Sequence, residues 1–133
     1  MGALIDTSVL IAVERGDVDF ETVIDTEEQY AVSVVTAAEL LHGVHRATGR
    51  RAGARAAYVE AMLGELAVLP IDLTVARAYA RASAEIARAG TPVDANDLWI
   101  GATAIAHGLG VLALDGDFDR IPGVTRVSAA RSA

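Results

Sequence analysis

Short apolar runs and longer helical patterns alternate along the chain. The first run, at residues 3–5, is followed at once by a carboxylate and two hydroxyls, so it predicts a strand that leads straight into a helix with Asp6 at the junction. Further β-rich runs alternate with stretches of good helix formers, which favours a parallel or mostly parallel sheet. The sequence therefore predicts one α/β domain over residues 1–133.

The boundaries of the elements follow from caps, glycine stops and hydrophobic spacing. The predicted strands are residues 3–5, 30–33, 67–69, 111–113 and an edge strand at 124–127. The predicted helices are residues 7–15, 20–25, 35–46, 54–65, 73–89 behind the cap Asp72, one from about 94–97 to 107, and a short piece after the turn at 115–119. Residues 47–53 are predicted to form a polar break between two helices.

Composition narrows the class of protein. There is no cysteine, which excludes disulfides and thiolate metal sites. No apolar run approaches the roughly 20 residues that cross a bilayer, and the N-terminus does not resemble a signal peptide, so we expect a cytoplasmic protein. A net charge of −7 does not suggest a non-specific DNA binder. All 11 Lys and Arg residues are arginine, which excludes mechanisms that need lysine.

Several carboxylates are placed to share one end of the predicted sheet, because they follow a strand or begin a helix. The candidates are Asp6, Glu39, Asp97, Asp115 and Asp117. Carboxylates that meet at one point cannot all stay ionised without a counter-charge. Oxygen ligands suit a hard cation such as Mg²⁺ or Mn²⁺, which can activate water and stabilise the charge that grows on a phosphodiester.

Each carboxylate also has a purely structural explanation. Asp6 could be an ordinary helix N-cap, Asp97 could complete a capping arrangement, and Asp115-Gly116-Asp117 could be a turn. Glu39 lies in the middle of an apolar helical run, where no cap is needed and a charge is costly unless it is paired or bound to metal. An exposed glutamate on a partly buried helix is the alternative there.

The histidines and arginines offer weaker signals. Glu39-x-x-His42 resembles half of a carboxylate di-iron motif, but only one copy occurs and the strands argue against a helical bundle. His42 and His45 are therefore expected at the surface or at an interface. The dense basic cluster, made of Arg46, Arg50, Arg51 and Arg55, is either a solvated loop and helix start or a rim that contacts phosphate.

Four motifs together resemble the PIN-domain ribonucleases and, more narrowly, the VapC-type toxins of bacterial toxin–antitoxin pairs. They are LIDTS at 4–8, TAAEL at 36–40, NDLWIGA at 96–102 and LDGDF at 114–118. The resemblance implies a PIN-like α/β/α sandwich, a short and mostly parallel central sheet flanked by helices. It also implies a Mg²⁺- or Mn²⁺-dependent endoribonuclease that cleaves RNA, forms a homodimer and is inhibited by a cognate VapB-type antitoxin.

Residue by residue, the resemblance implies roles for the candidate acids. Asp6, Glu39 and Asp97 match the acidic triad of the family, and the fourth acid is Asp115 or Asp117. Thr7 or Ser8 would orient the carboxylates by hydrogen bonds. Independently of the resemblance, Arg46, Arg50 and Arg51 of the basic cluster are the candidates for contact with RNA.

Two other functions remain open from the sequence. One is a catalytically inactive PIN-like module that only binds its partner. The other is an aspartate-based phosphotransfer protein, which also places an aspartate after the first strand. That class expects a lysine in its site, and its phosphatase branch expects a second aspartate where this chain has Ser8.

Overall fold

A computed structural model describes residues 2–24 and 28–128. Its strands are β1 (Ala3–Ile5), β2 (Tyr30–Ser33), β3 (Ala67–Leu69), β4 (Gly110–Ala113) and β5 (Arg126–Ser128). Its helices are α1 (Thr7–Arg15), α2 (Phe20–Val23), α3 (Val34–Arg46), α4 (Arg50–Glu65), α5 (Leu73–Ala89) and α6 (Ala95–His107), and a 3₁₀ turn (Asp117–Arg120) lies between β4 and β5.

The strands form one parallel sheet in the order β3-β2-β1-β4-β5. From β1, strands β2 and β3 extend the sheet in one direction, and strands β4 and β5 extend it in the other. The strand order therefore reverses between β1 and β4. In open parallel sheets, ligands bind outside the carboxyl ends of the strands at such a reversal.

Alternate side chains along β1 enter two different cores, which makes the fold a three-layer sandwich. Leu4 packs with Leu98 and Ile100 of α6 on one face of the sheet. Ala3 and Ile5 pack on the other face, against α1, α3 and α4. The predicted α/β/α sandwich around a parallel sheet is therefore confirmed.

Most predicted boundaries agree with the structure because a capping side chain or a glycine fixes them. The side chains of Ser33 and Asp72 cap α3 and α5, and Gly90 and Gly108 end α5 and α6 in the left-handed conformation. Small differences remain: α3 begins one residue earlier than predicted, and the last strand lies at Arg126–Ser128. The helix predicted at 20–25 ends at Val23, and residue 25 lies outside the described residues.

The predicted polar break at 47–53 is wrong. The chain leaves α3 at Ala47, and α4 already begins at Arg50. Gly49 has φ of +66°, which lets the chain turn within three residues. Gly53 then lies inside the helix, where glycine costs about 1 kcal/mol relative to alanine but does not prevent helix formation.

No helix among residues 2–24 and 28–128 combines the length and the apolar composition that a membrane span requires.

Candidate active site

Asp6 stands at the carboxyl end of β1 and begins α1. Its backbone N–H donates to Leu112 O of β4 at 2.9 Å, which fixes it beside the reversal of strand order. Its carboxylate is buried, and Oδ2 accepts hydrogen bonds from the Ser8 backbone N–H at 3.3 Å and from the Ser8 hydroxyl. Asp6 is therefore a helix N-cap, as its structural explanation requires, and it still presents a carboxylate at the sheet edge where ligands bind.

Thr7 connects the start of α1 to Glu39 in the middle of α3. Thr7 Oγ1 donates to Glu39 Oε1 at 2.7 Å and lies 3.0 Å from the hydroxyl oxygen of Thr36. Because Thr7 has one hydroxyl proton and a carboxylate can only accept, Thr36 supplies the proton between the two threonines. The buried Thr7 hydroxyl, itself held by the buried Thr36 hydroxyl, therefore binds one oxygen of the half-buried Glu39 carboxylate.

The N-terminus of α6 brings Asp97 to the same place. Asp94 is the N-cap of α6, and its Oδ2 accepts from the backbone N–H groups of Asn96 and Asp97. The carboxylate of Asp97 makes no hydrogen bond to any residue that the structure describes. The cap is thus supplied by Asp94, and the Asp97 side chain is left for another role.

Asp115 and Asp117 follow β4 and differ in what their carboxylates do. Asp115 Oδ1 accepts from the backbone N–H of Asp117 at 3.0 Å, an ordinary turn bond at the entry to the 3₁₀ turn. The negative charge of Asp117 acts on Asp97, whereas no such effect of Asp115 is resolved.

The carboxylates influence one another through their charges and not through direct hydrogen bonds. Partial burial is the largest cause of the raised pKa of Asp97, about 6 against the usual 3.8. Four neighbouring negative charges raise this pKa further, in decreasing order Asp6, Asp94, Asp117 and Glu39. Burial raises the pKa of Asp6 as well; hydrogen bonds from Ser8 lower it in part, and the charge of Glu39 raises it.

The carboxylates are neighbours, but they do not form a finished metal site. Within residues 2–24 and 28–128, no group of three Asp, Glu or His side chains is arranged to hold an ion. The set offers oxygen donors, partial burial and uncompensated like charge, which is the combination that a hard divalent cation relieves. The single Glu39-x-x-His42 motif lies on a helix that packs against a sheet, so the helical bundle of a di-iron protein is absent from the described fold.

A cleft of about 620 Å³ opens beside Glu39 between α1, α3 and the start of α6. It is lined by Thr7, Ile11, Val35, Ala38, Glu39, His42 and Asn96. Sequence reasoning gave Asn96 and Thr36 no role, although Asn96 Nδ2 lies 3.5 Å from Glu39 Oε2 and Thr36 supports Thr7. Their positions, directly before Asp97 and three residues before Glu39, could have pointed to both.

The basic cluster divides into two parts. Arg46, Arg50 and Arg51 are exposed where α3 ends and α4 begins. Arg55 instead forms an ion pair with Glu14 of α1, with Nε and Oε2 2.6 Å apart. None of the four lines the cleft beside Glu39.

Comparisons with known proteins agree with this geometry. The PIN domain family model matches residues 3–124. Ribonuclease VapC4 of Mycobacterium tuberculosis is 38% identical over 122 residues, which are 92% of each chain, and Ribonuclease VapC5 of the same organism is 36% identical over 128 residues, 96% of this chain and 93% of that one.

Solved structures give the same result. VapBC-5 from Mycobacterium tuberculosis, a member of the VapBC family of toxin–antitoxin systems, superposes with a TM-score of 0.79 and 35% identity over 96% of this chain and 97% of that chain. VapBC2 from Rickettsia felis shares the fold at a TM-score of 0.87 with 19% identity, over 98% of this chain and 100% of that chain. The chain therefore belongs to the PIN domain family and, within that family, to the VapC ribonucleases.

Proposed function

We propose that this VapC ribonuclease hydrolyses RNA phosphodiester bonds with a divalent cation, Mg²⁺ or Mn²⁺, held by Asp6, Glu39, Asp97 and Asp117. The observation that carries the proposal is geometric: Asp6 is buried at the carboxyl end of β1, and the Glu39 carboxylate lies 2.7 Å from the Thr7 hydroxyl and 3.5 Å from the amide of Asn96, the neighbour of Asp97. The pKa of Asp97, raised first by burial and then by the charges of neighbouring carboxylates, agrees with this arrangement. Without a bound cation, like charges gathered at one place are unfavourable unless they are separated or paired with arginines. Four elements instead bring their acids to one end of the sheet.

The side chains around the acids fit that role. Ser8 fixes Asp6, and the Thr7–Thr36 pair fixes one oxygen of Glu39, so these carboxylates are oriented before any ligand binds. Asp97 has no side-chain hydrogen bond within the described residues, which leaves both of its oxygens available. When bound, the cation would activate water and stabilise the negative charge on the phosphodiester in the transition state.

We assign the fourth acidic position to Asp117 rather than to Asp115. The charge of Asp117 acts on Asp97, whereas the carboxylate of Asp115 is engaged by the backbone N–H of Asp117. Asparagine at either position keeps the size of the side chain, and at Asp115 it also keeps the turn bond.

Cleavage of total RNA with Mg²⁺, with and without chelator, tests the proposal. We expect Asp97→Asn and Asp117→Asn to lower the cleavage rate at least 100-fold while the circular dichroism spectrum stays unchanged, and Asp115→Asn to leave the rate within a few-fold of the parent rate. Cleavage by Asp97→Asn at the parent rate would contradict the metal role of Asp97. If Asp115→Asn lowered the cleavage rate and Asp117→Asn did not, the fourth acidic position would be Asp115, and the roles of the other acids would be unchanged.

We further propose that the partner of this chain is a VapB-type antitoxin that inhibits the cleavage. Support comes from the similarity to VapBC-5, a toxin–antitoxin complex at 35% identity over nearly the whole chain. Co-expression with its cognate VapB-type antitoxin should give a stable complex with no ribonuclease activity. A complex that still cleaves RNA at the rate of the free chain would remove the inhibitory role, and the ribonuclease proposal would stand.

A further inference from the structure

The cleft beside the carboxylates has a wall that the proposed hydrolysis does not use. Ile11, Val35 and Ala38 give this wall an apolar surface, and His42 and Asn96 contribute polar groups next to it. The chain has 11 arginines and no lysine, and none of the arginines within residues 2–24 and 28–128 lines the cleft. In the part of the chain that the structure describes, this wall therefore lacks the fixed positive charge that would hold an RNA phosphate. An apolar surface with polar groups beside it suits a different part of a nucleotide.

His42 is the side chain of this wall with the most freedom to bind a ligand. It lies three residues after Glu39 on α3, so both project from the same face of the helix about 4.5 Å apart along the axis. The residue is exposed, and it makes no hydrogen bond, ion pair or ring contact to any residue that the structure describes. An imidazole in this position can stack on a planar ligand and can exchange hydrogen bonds with its edge.

We propose that this cleft binds the base of a nucleotide next to the cleaved phosphodiester, and that His42 selects that base. Sequence-specific recognition of single-stranded RNA uses unstacked bases, which proteins stack on aromatic or histidine rings and hydrogen-bond along their edges. The apolar wall suits the faces of a base, and His42 and Asn96 suit its edge. The volume, about 620 Å³, lies within the usual range of roughly 300–1,000 Å³ for small-ligand sites. The inference rests on the proposed function, because RNA must occupy the neighbouring carboxylates.

The chain supplies a matched control in His45. It lies three residues further along α3 and is also exposed, but it does not line the cleft. Replacing either histidine removes an exposed imidazole from the same helix. Any effect on the overall charge or on the stability of α3 should therefore be similar for the two variants.

The experiment is to sequence the ends produced from a single-stranded RNA library of random sequence, cleaved with Mg²⁺ by the parent, by His42→Ala and by His45→Ala. We expect the parent to prefer one base or one base class at a position next to the cut. His42→Ala should lose that preference, with kcat/KM for the preferred sequence lowered roughly 5- to 150-fold, as for loss of a base–aromatic contact. His45→Ala should keep the pattern of the parent, and calorimetric titration should give all three proteins the same Mn²⁺ affinity.

Three results would overturn the inference. In the first, His42→Ala keeps the cleavage pattern and kcat/KM of the parent. In the second, His42→Ala loses Mn²⁺ affinity together with activity, which would make His42 part of the metal centre. In the third, the cleavage pattern is unchanged but the affinity for a VapB-type antitoxin falls, which would assign the wall to a protein partner. Failure of the proposed function is distinguishable, because the parent would then cleave no RNA in a way that depends on Asp97.

Discussion

Asp97 is the residue at which the charges of the candidate site act on one another. Its pKa is raised to about 6 by burial first and by neighbouring negative charges second, and the pKa of Asp6 is raised chiefly by burial. A raised carboxylate pKa means that the fold favours the protonated form. Without a cation, ionisation of these side chains therefore opposes folding.

The first prediction concerns stability against pH in the absence of metal. Between the unfolded pKa near 3.8 and the folded pKa near 6, the folded state binds more protons than the unfolded state at Asp97, so this residue makes the free energy of unfolding fall as the pH rises through that window. We expect Asp97→Asn to remove most of this slope and to be more stable than the parent at pH 7 in chelator. Urea unfolding at several pH values measures both quantities.

A saturating concentration of Mn²⁺ should make the parent more stable than Asp97→Asn at pH 7, because Mn²⁺ binding to the folded state stabilises the parent and not the variant. A parent slope that Asp97→Asn leaves intact would show that the charge of Asp97 is not the cause.

The second prediction concerns the hydroxyl that orients Glu39. Thr7→Val keeps the shape of the side chain but removes the hydrogen bond to Glu39 Oε1, so the carboxylate is no longer held in place. We expect Mn²⁺ affinity to fall about 10- to 100-fold, as for other groups that orient metal ligands. Calorimetry measures this affinity, and Thr7→Ser, which keeps the hydroxyl, should stay close to the parent. A loss of Mn²⁺ affinity in Thr7→Ser but not in Thr7→Val would contradict this role and point to packing of the methyl group.

The sequence could supply the candidate acids but not how each is held. Asp6 and Asp97 were predictable because carboxylates at helix starts beside strand ends meet at one edge of a parallel sheet. The pairing of Thr7 with Thr36 was not predictable, because the two residues are 29 positions apart in the sequence. They meet only through the packing of α1 against α3. The lining of the cleft by His42 and Asn96 likewise depends on how α1, α3 and the start of α6 pack together.

At the scale of elements, one ion pair ties together the three helices behind the cleft. Arg55 of α4 passes over Gly43 of α3 to reach Glu14 of α1, and a Cβ at Gly43 would lie 3.0 Å from Arg55 Nη1. Beside it, the Tyr58 hydroxyl donates to Leu10 O at 2.5 Å, and burial raises the pKa of Tyr58 to about 12. These contacts fix α1 relative to the α3–α4 hairpin.

The third prediction is that Glu14 and Arg55 are coupled in stability. A double-mutant cycle with Glu14→Gln and Arg55→Gln, followed by urea unfolding, should give a coupling energy of about 1 kcal/mol, at the upper end for partly exposed ion pairs. The coupling energy should fall as salt is added, because the charges are accessible to ions. Strictly additive effects of the two substitutions would mean that the pair contributes only packing.

Element boundaries were predictable wherever a local cap or a glycine defines them. Asp72, Gly90 and Gly108 act within one turn of their own helices, so the sequence contains the whole cause. The start of α4 was missed because glycine and arginine at 49–53 suggest a loop, while packing of α4 against α3 and the pair between Arg55 and Glu14 keep the chain helical from Arg50. Tertiary contacts outweigh helix propensity at that position.

At the scale of the whole molecule, a chain of net charge −7 has to bind a polyanion. The acids are gathered at one sheet edge, where a cation would change the local sign of the potential. Arg46, Arg50 and Arg51 are exposed together at the junction of α3 and α4, outside the cleft. We propose that they contact RNA phosphates and raise affinity without affecting which bond is cut.

The fourth prediction follows from that placement. Replacing all three with glutamine should weaken binding of single-stranded RNA and should reduce the slope of log K against log salt by up to about 2, at roughly 0.7 per lost phosphate contact. The matched control replaces Arg77, Arg81 and Arg88, three exposed arginines of α5, and should have a smaller effect after the same change in net charge. Fluorescence anisotropy at several salt concentrations measures both, and equal slopes for the two triple variants would contradict a specific role for the first set.

Anomalous diffraction from crystals of the chain grown with Mn²⁺ would show whether the carboxylates at the carboxyl end of the sheet hold a cation. We expect one or two strong peaks within coordinating distance of Asp6 and Asp97, with Glu39 and Asp117 binding them directly or through water. A crystal saturated with Mn²⁺ that shows no peak at these carboxylates, or a peak held only by residues elsewhere, would overturn the proposed metal site.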